Sequence, residues 1–202
     1  NNTAYYFKVF TKLGTIYTEV SVDGSPSTPN VGATNIAISS YRLRNDDGSE
    51  ISAGYSSAEN TPIVSSFIAG DKKRIRFVLS NQTSALTKKR YQLEYGTNSC
   101  TTWTALPRPG EETTEHFRME RSQFLSDNAT TSHSSGVSAP NGKTFISGRI
   151  QSFSSLTHPI TLRNGQYTEV EYVICATNNV ISNSPYCFRL TGSGSASGFT
   201  YS

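Results

Sequence analysis

Apolar side chains recur at every second position over much of the chain and at helical spacing almost nowhere. Tyr41 and Leu43 alternate with Arg42 and Arg44. Ile75, Phe77 and Leu79 alternate with Arg74, Arg76 and Ser80, and Tyr91, Leu93 and Tyr95 with Arg90, Gln92 and Glu94. Successive side chains of a strand point to opposite faces, so each run predicts a strand with one face on a core and the other in water. Further strands are expected near Thr101 to Leu106, Lys143 to Ile150, Glu169 to Ala176 and Tyr186 to Thr191, between clusters of Gly, Asn, Ser and Pro. Seven or more short antiparallel strands imply a β-sandwich, with Tyr41, Leu43, Ile75, Phe77, Leu79, Leu93, Tyr95, Tyr172, Ile174, Phe188 and Leu190 facing inward. Thr113 to Leu125, where Glu111, Glu112 and Glu115 precede Phe117, Met119, Phe124 and Leu125, reads equally as a helical turn or an extended loop. Ser126 to Gly142 is polar and reads as a long surface loop or flap.

Composition narrows the class. Ser and Thr supply 54 of 202 residues and Asn 14, a third of the chain, while charged residues are only 16%, well below the usual ~25%. That profile suits an extracellular β-protein. No run reaches the ~18 apolar residues of a membrane span, and no charged segment precedes an apolar one as in a secretion signal, so any such signal is expected to have been removed or to lie outside this chain. The net charge of +3 is small and dispersed, which speaks against a nucleic-acid protein.

The two ends of the chain are alike. Asn2-Thr-Ala-Tyr-Tyr-Phe-Lys-Val-Phe is followed by a turn at Gly14 and by Ile16 to Val22; Asn183-Ser-Pro-Tyr-Cys-Phe-Arg-Leu is followed by a Gly/Ser turn and by Phe199 to Tyr201. Both read as the closing β-hairpin of a sandwich. The segment Thr3-Ala4-Tyr5-Tyr6-Phe7-Lys8-Val9 resembles the penultimate strand of fibronectin type III domains, with the tyrosine that closes the corner before it. Tyr91-Gln92-Leu93-Glu94-Tyr95, followed by Trp103, is similar to that family's third strand and the one after it. The likeness covers about half the chain and extends to surface-fibre, pilin-like modules of prokaryotic secreted proteins. Two features depart from it: the linker from Asp23 to Asn30, and an insertion from Arg108 to Gly142 that is long for the family. The organisation expected is therefore an N-terminal β-hairpin extension over residues 1–22, a Pro/Ser linker over 23–30, and an all-β, immunoglobulin- or fibronectin-like antiparallel sandwich over 31–202.

The resemblance implies a disulfide. It sets Cys100 just beyond the third strand and Cys187 at the start of the penultimate one, and those strands are antiparallel neighbours, so Cys100 with Cys187 is the pair expected; Cys175 with Cys187 across a hairpin is the rival. In the first case Cys175 is a buried thiol. There is no Cys-x-x-Cys, and His116, His133 and His158 are dispersed, which argues against a metal. No cofactor is expected either, since no phosphate-binding glycine motif occurs; Gly192-Ser193-Gly194 sits in a turn, and Asp46-Asp47-Gly48 lacks the remaining acids of a calcium loop. Catalysis finds little footing. Glu111, Glu112, Glu115 and Glu120 lie in a Pro/Gly-rich loop, and no Gly-x-Ser-x-Gly elbow accompanies the histidines, so no enzyme is expected. Asn1, Asn81 and Asn128 head Asn-x-Ser/Thr sequons, so a glycan on Asn81 or Asn128 depends on the host.

The hairpin carries the functional expectation. Two strands alone are barely stable in water, yet Tyr5, Phe7, Val9, Ile16 and Val20 make an apolar ribbon on a Pro-containing linker. Donated to a neighbouring copy, it would build a head-to-tail fibre, because a contact that does not close propagates. The expected partners are copies of the same chain or tandem domains. The alternative is a noncatalytic adhesin or carbohydrate-binding module, with Trp103, Tyr55 and Tyr167 as stacking platforms, unless Trp103 packs in the core.

Overall fold

A computed structural model describes residues 6–7, 35–62, 67–97, 100–111, 114–133, 136–181 and 184–201. All the regular elements among them are strands: β1 (Tyr6–Phe7), β2 (Ile36–Asn45), β3 (Lys72–Asn81), β4 (Thr87–Lys89), β5 (Tyr91–Thr97), β6 (Trp103–Ala105), β7 (Phe117–Met119), β8 (Thr144–Phe145), β9 (Ile150–Gln151), β10 (Ile160–Leu162), β11 (Gln166–Ala176), β12 (Pro185–Gly192) and β13 (Phe199–Tyr201). Among the described residues the fold is all-β, with two principal sheets. One has the order β1-β12-β5-β6. The other runs β13-β2-β3-β11-β7, with β8 and β9 also against β11, and β4 pairs separately with β10.

The alternating apolar residues put the core where the two sheets face each other, an arrangement consistent with a β-sandwich. Tyr41, Leu43, Ile75, Phe77, Leu79, Tyr172 and Ile174 from one sheet meet Leu93, Tyr95, Phe188 and Leu190 from the other in one buried cluster. Every residue expected to face inward does so. In β2 the inward residues change parity, from Ile36 and Ile38 to Tyr41 and Leu43, because the register with β3 shifts between Ile38 and Ser40. The extra residue is a β-bulge, and it keeps both halves of a ten-residue strand turned to the core.

Among the described residues of 113–125 there is no helix: Phe117–Met119 is a strand paired to Ile174–Ala176 of β11, with bends on either side. Phe117 is fully buried against Phe67, Tyr186 and Phe188, and that packing fixes the backbone that local propensity leaves open. The strand expected near Lys143 to Ile150 is two short ones, β8 and β9, each parallel to β11. The last two strands do not form a hairpin. β12 lies antiparallel to β5 in one sheet, and β13 crosses to the other and runs parallel to β2. Parallel pairing there, and at β1, β8 and β9, departs from the uniformly antiparallel expectation. The N-terminal hairpin expected over 1–22 and the linker over 23–30 lie outside the described residues except for β1, which runs parallel to β12 with Tyr6 opposite Pro185 and Phe7 opposite Tyr186.

Candidate functional site

Both features of interest grow out of these strands. The first is the outer face of β2, β3 and β11. Cross-strand rows place Ser40, Val78 and Glu169 together, then Arg42, Arg76 and Glu171, then Arg44, Arg74 and Val173. Period two predicts that this face is wet. Instead Arg44, Arg74, Arg76, Glu169 and Glu171 are all fully buried. The loop after β2 and the segment from Glu120 to Arg149 cover them, so the polar insertion is a flap over an ionic layer.

Arg76 is the hub of that layer. Its Nε lies 2.6 Å from Glu169 Oε2, its Nη1 2.6 Å from Glu171 Oε2, and its Nη2 2.9 Å from Glu50 Oε1. Nη2 also donates to the carbonyl of Ser132 in the flap. Burial works against the guanidinium charge, but Glu171 and Glu169 outweigh it and hold Arg76 protonated even more firmly than an ordinary arginine. Arg74 bonds Asp46 and the carbonyl of Gly48; Arg44 reaches Glu171 and the carbonyls of Glu50 and Ala53. His133 Nδ1 lies 2.7 Å from Glu169 Oε1. From the flap, Ser138 donates through N and Oγ to Glu59, and the Gly136 carbonyl accepts from Arg42. Burial raises the Glu59 pKa, but the two bonds from Ser138, with help from Ser40 and Arg42, outweigh it and hold the carboxyl below its ordinary range. Chemically the layer fastens the flap. Its charges are spent on one another and on carbonyls, in the way buried charges must be.

The second feature is the edge of the smaller sheet. Cys187 on β12 and Cys100 beyond β5 form a disulfide with Cα atoms 6.0 Å apart, and Cys175 is a buried free thiol. Burial pushes that thiol's pKa up, away from reactivity. On the same outer face Arg189 pairs with Glu94 at 2.7 Å and stacks 4.2 Å from the centre of the Trp103 ring. Trp103 is therefore half-buried on the outside and not in the core, because it stands opposite Gly96, on the face away from Leu93 and Tyr95. Among the described residues, β1 lies beyond β12 at this edge.

The remaining expected residues are scattered. Tyr5, Val9, Ile16 and Val20 lie outside the described residues; of Phe7 only the backbone pairing is described. Tyr167 is buried against Phe145 and His133, and Tyr55 is partly exposed with the Arg42 guanidinium 3.7 Å from its ring centre. Asn81 is fully buried, its Nδ2 donating to the carbonyls of Ala85 and Leu162, and a glycan there would have to break both bonds. Asn128 is less enclosed, with φ 60° and its Nδ2 3.3 Å from His158. Glu111, Glu115 and Glu120 each face a different partner: the Arg108 amide, Tyr95 and Arg118 respectively. Asp46 is taken up by Arg74 and Ser122, and Asp47 by the Gly54 amide. Among the described residues no three His, Cys, Asp or Glu side chains are grouped to hold a metal ion.

Alternation alone misses the ionic layer, yet a signal was present. Two Arg-x-Arg runs and one Glu-x-Glu run on three strands promise opposite charges in register if those strands are neighbours. No family model, curated protein or solved structure matches the chain.

Proposed function

We propose that the chain is a noncatalytic structural module of an extracellular filament or surface fibre, a fibronectin-like sandwich that assembles head-to-tail when its N-terminal segment joins the sheet of a neighbouring copy. The observation that supports this reading is the edge of β12, beside which Tyr6–Phe7 of the same chain adds as a strand; in a fibre that edge would take the same strand from a neighbouring copy. An edge strand offers a row of unpaired backbone donors and acceptors and invites such addition. The disulfide clamps that edge to β5, and a disulfide suits an oxidising, extracellular compartment. No helix among the described residues is long and apolar enough to cross a membrane.

Electron microscopy of the native material tests the reading. Regular filaments are expected, and deletion of residues 1–22 should leave monomers; filaments that survive the deletion would overturn it. A second reading, a carbohydrate-binding or adhesin module, is favoured by one observation, the half-exposed Trp103 ring on the outer face beside Arg189 and Glu94. Saturable glycan binding by discrete monomers, lost on Trp103→Ala, would favour it.

A further inference from the structure

The two sheets are tied together along one side of the sandwich. β6, at the edge of the smaller sheet, runs on to Pro107, whose carbonyl accepts from the amide of Met119 in β7, an end strand of the larger one. That bond sets two stretches of backbone against each other. Arg108 follows on one of them and Arg121 on the other, and both are exposed. Their guanidinium carbons lie over a single ring, that of Phe153 just beyond β9, at 5.4 Å and 4.6 Å from its centre.

Among the described residues neither guanidinium has an oxygen partner, and the carboxylates on the adjoining segments are engaged elsewhere. Glu111 accepts from the Arg108 amide, and Asp127 from the amides of Ser152 and Phe153. Glu120 holds Arg118 at 2.8 Å and accepts from the Arg121 amide. Lys72 adds a third cation, its Nζ donating to the Arg121 carbonyl. A phenyl ring attracts a guanidinium but offers its N–H groups no acceptor, so Phe153 positions both groups and leaves their donors free. Charge alone is enough to keep a sheet edge from pairing with another chain. Two like charges gathered on one ring instead repel each other until an anion joins them, and guanidinium donors match the oxygens of a sulfate or carboxylate.

The geometry points to Arg108 and Arg121, held on Phe153 at the junction of the two sheets, as a binding surface for an acidic polysaccharide. A polymer is the partner because each exposed ion pair is weak by itself, while a chain that repeats its sulfates or carboxylates presents the next anion at high effective concentration. Nucleic acid fits less well, since the net charge of +3 is dispersed and forms no long basic track. The surface is separate from Trp103 and stands at the opposite side of the smaller sheet from β12 and β1. A fibre built through the β12 edge would therefore present it on every subunit.

The test measures binding of the full chain to immobilised chondroitin sulfate, to hyaluronate, which carries carboxylates alone, and to neutral dextran. Binding to either acidic polymer and not to dextran is expected, weakening as salt is added. The Arg108→Gln/Arg121→Gln variant should lose roughly tenfold in affinity. Phe153→Leu, which keeps both charges and removes the ring, should lose about 2- to 5-fold. The control Lys88→Gln/Arg163→Gln removes the same charge from exposed positions at the β4–β10 pair and should bind as the unaltered chain does. Equal loss in the two double variants overturns the inference, as does full binding by Phe153→Leu or no binding to either acidic polymer. Tighter binding to a DNA oligonucleotide overturns the choice of partner, and loss on Trp103→Ala returns the binding to the Trp103 face. Filament formation reports on the assembly reading alone, so the two fail separately.

Discussion

Arg76 bonds three carboxylates and a flap carbonyl from one fully buried guanidinium. Removing one partner of such a network strands the others without water, and Arg76→Ala should cost roughly 3–5 kcal/mol in urea unfolding. Replacing Arg76, Glu169 and Glu171 together by apolar side chains should cost far less, because no charge is then left behind. Burial also acts on the phenols. It pushes Tyr41 up to about 12, and Tyr201, whose hydroxyl donates to the Leu190 carbonyl, to about 12 as well. A folded-state value above the ordinary 10 means these tyrosines support the fold fully below pH 10 and lose that support as pH rises toward 12. Unfolding followed across that range should show stability falling, and Tyr201→Phe should flatten part of the fall. At this scale the sequence was readable where one face of a strand touches the core. Tyr41, Leu43, Ile75 and Phe77 declare themselves by spacing. Arg44, Arg74 and Arg76 do not, because an alternating pattern says which face is polar and nothing about what lies over it.

Among the elements, the flap and the closing strands are held by fastenings that can be tested one at a time. Glu59 holds Ser138 through both oxygens, and its carboxyl is kept below the ordinary 4.5, so this support is present above that pH and is lost as pH falls through the lower, folded-state value. Limited proteolysis should therefore cut the flap faster in acid, and Glu59→Gln should bring the same sensitivity to neutral pH. Gly148 sits where an added methyl would run into the Glu169 carbonyl, with its amide bonded to Thr131 Oγ1. Gly148→Ala should cost about 1–3 kcal/mol by forcing the flap off β11. The disulfide closes a separation of 87 residues. Its loss in Cys187→Ser should lower stability by roughly 4–5 kcal/mol on the chain-entropy estimate, measured by thermal unfolding. Element types were legible for the long strands. They were not legible over 113–125, where Phe117 is drawn into an aromatic cluster from distant strands, nor for β13, whose partner β2 lies at the far side of the domain. Three residues carry too little pattern to announce which sheet they join.

For the whole molecule, the shared core of two sheets and the Cys100–Cys187 bond followed from sequence and resemblance, while the interleaving of the sheets did not. β2 and β13 lie near opposite ends of the described domain and pair along Ile36–Ile38 with Phe199–Tyr201. β3 and β11 pair along nine positions although the smaller sheet's β5 and β6 fall between them in the chain. Almost every such contact closes a long loop, and the cost of closure comes before its reward. Refolding in stopped-flow mixing should therefore be slow, on the milliseconds-to-seconds scale typical of β proteins rich in distant contacts. The pairing of β2 with β13 has a vectorial consequence: a chain made from its N-terminus cannot finish its larger sheet until β13 has emerged. Completion of that sheet thus trails synthesis, and the polypeptide stays threadable for as long as β13 is still on the way.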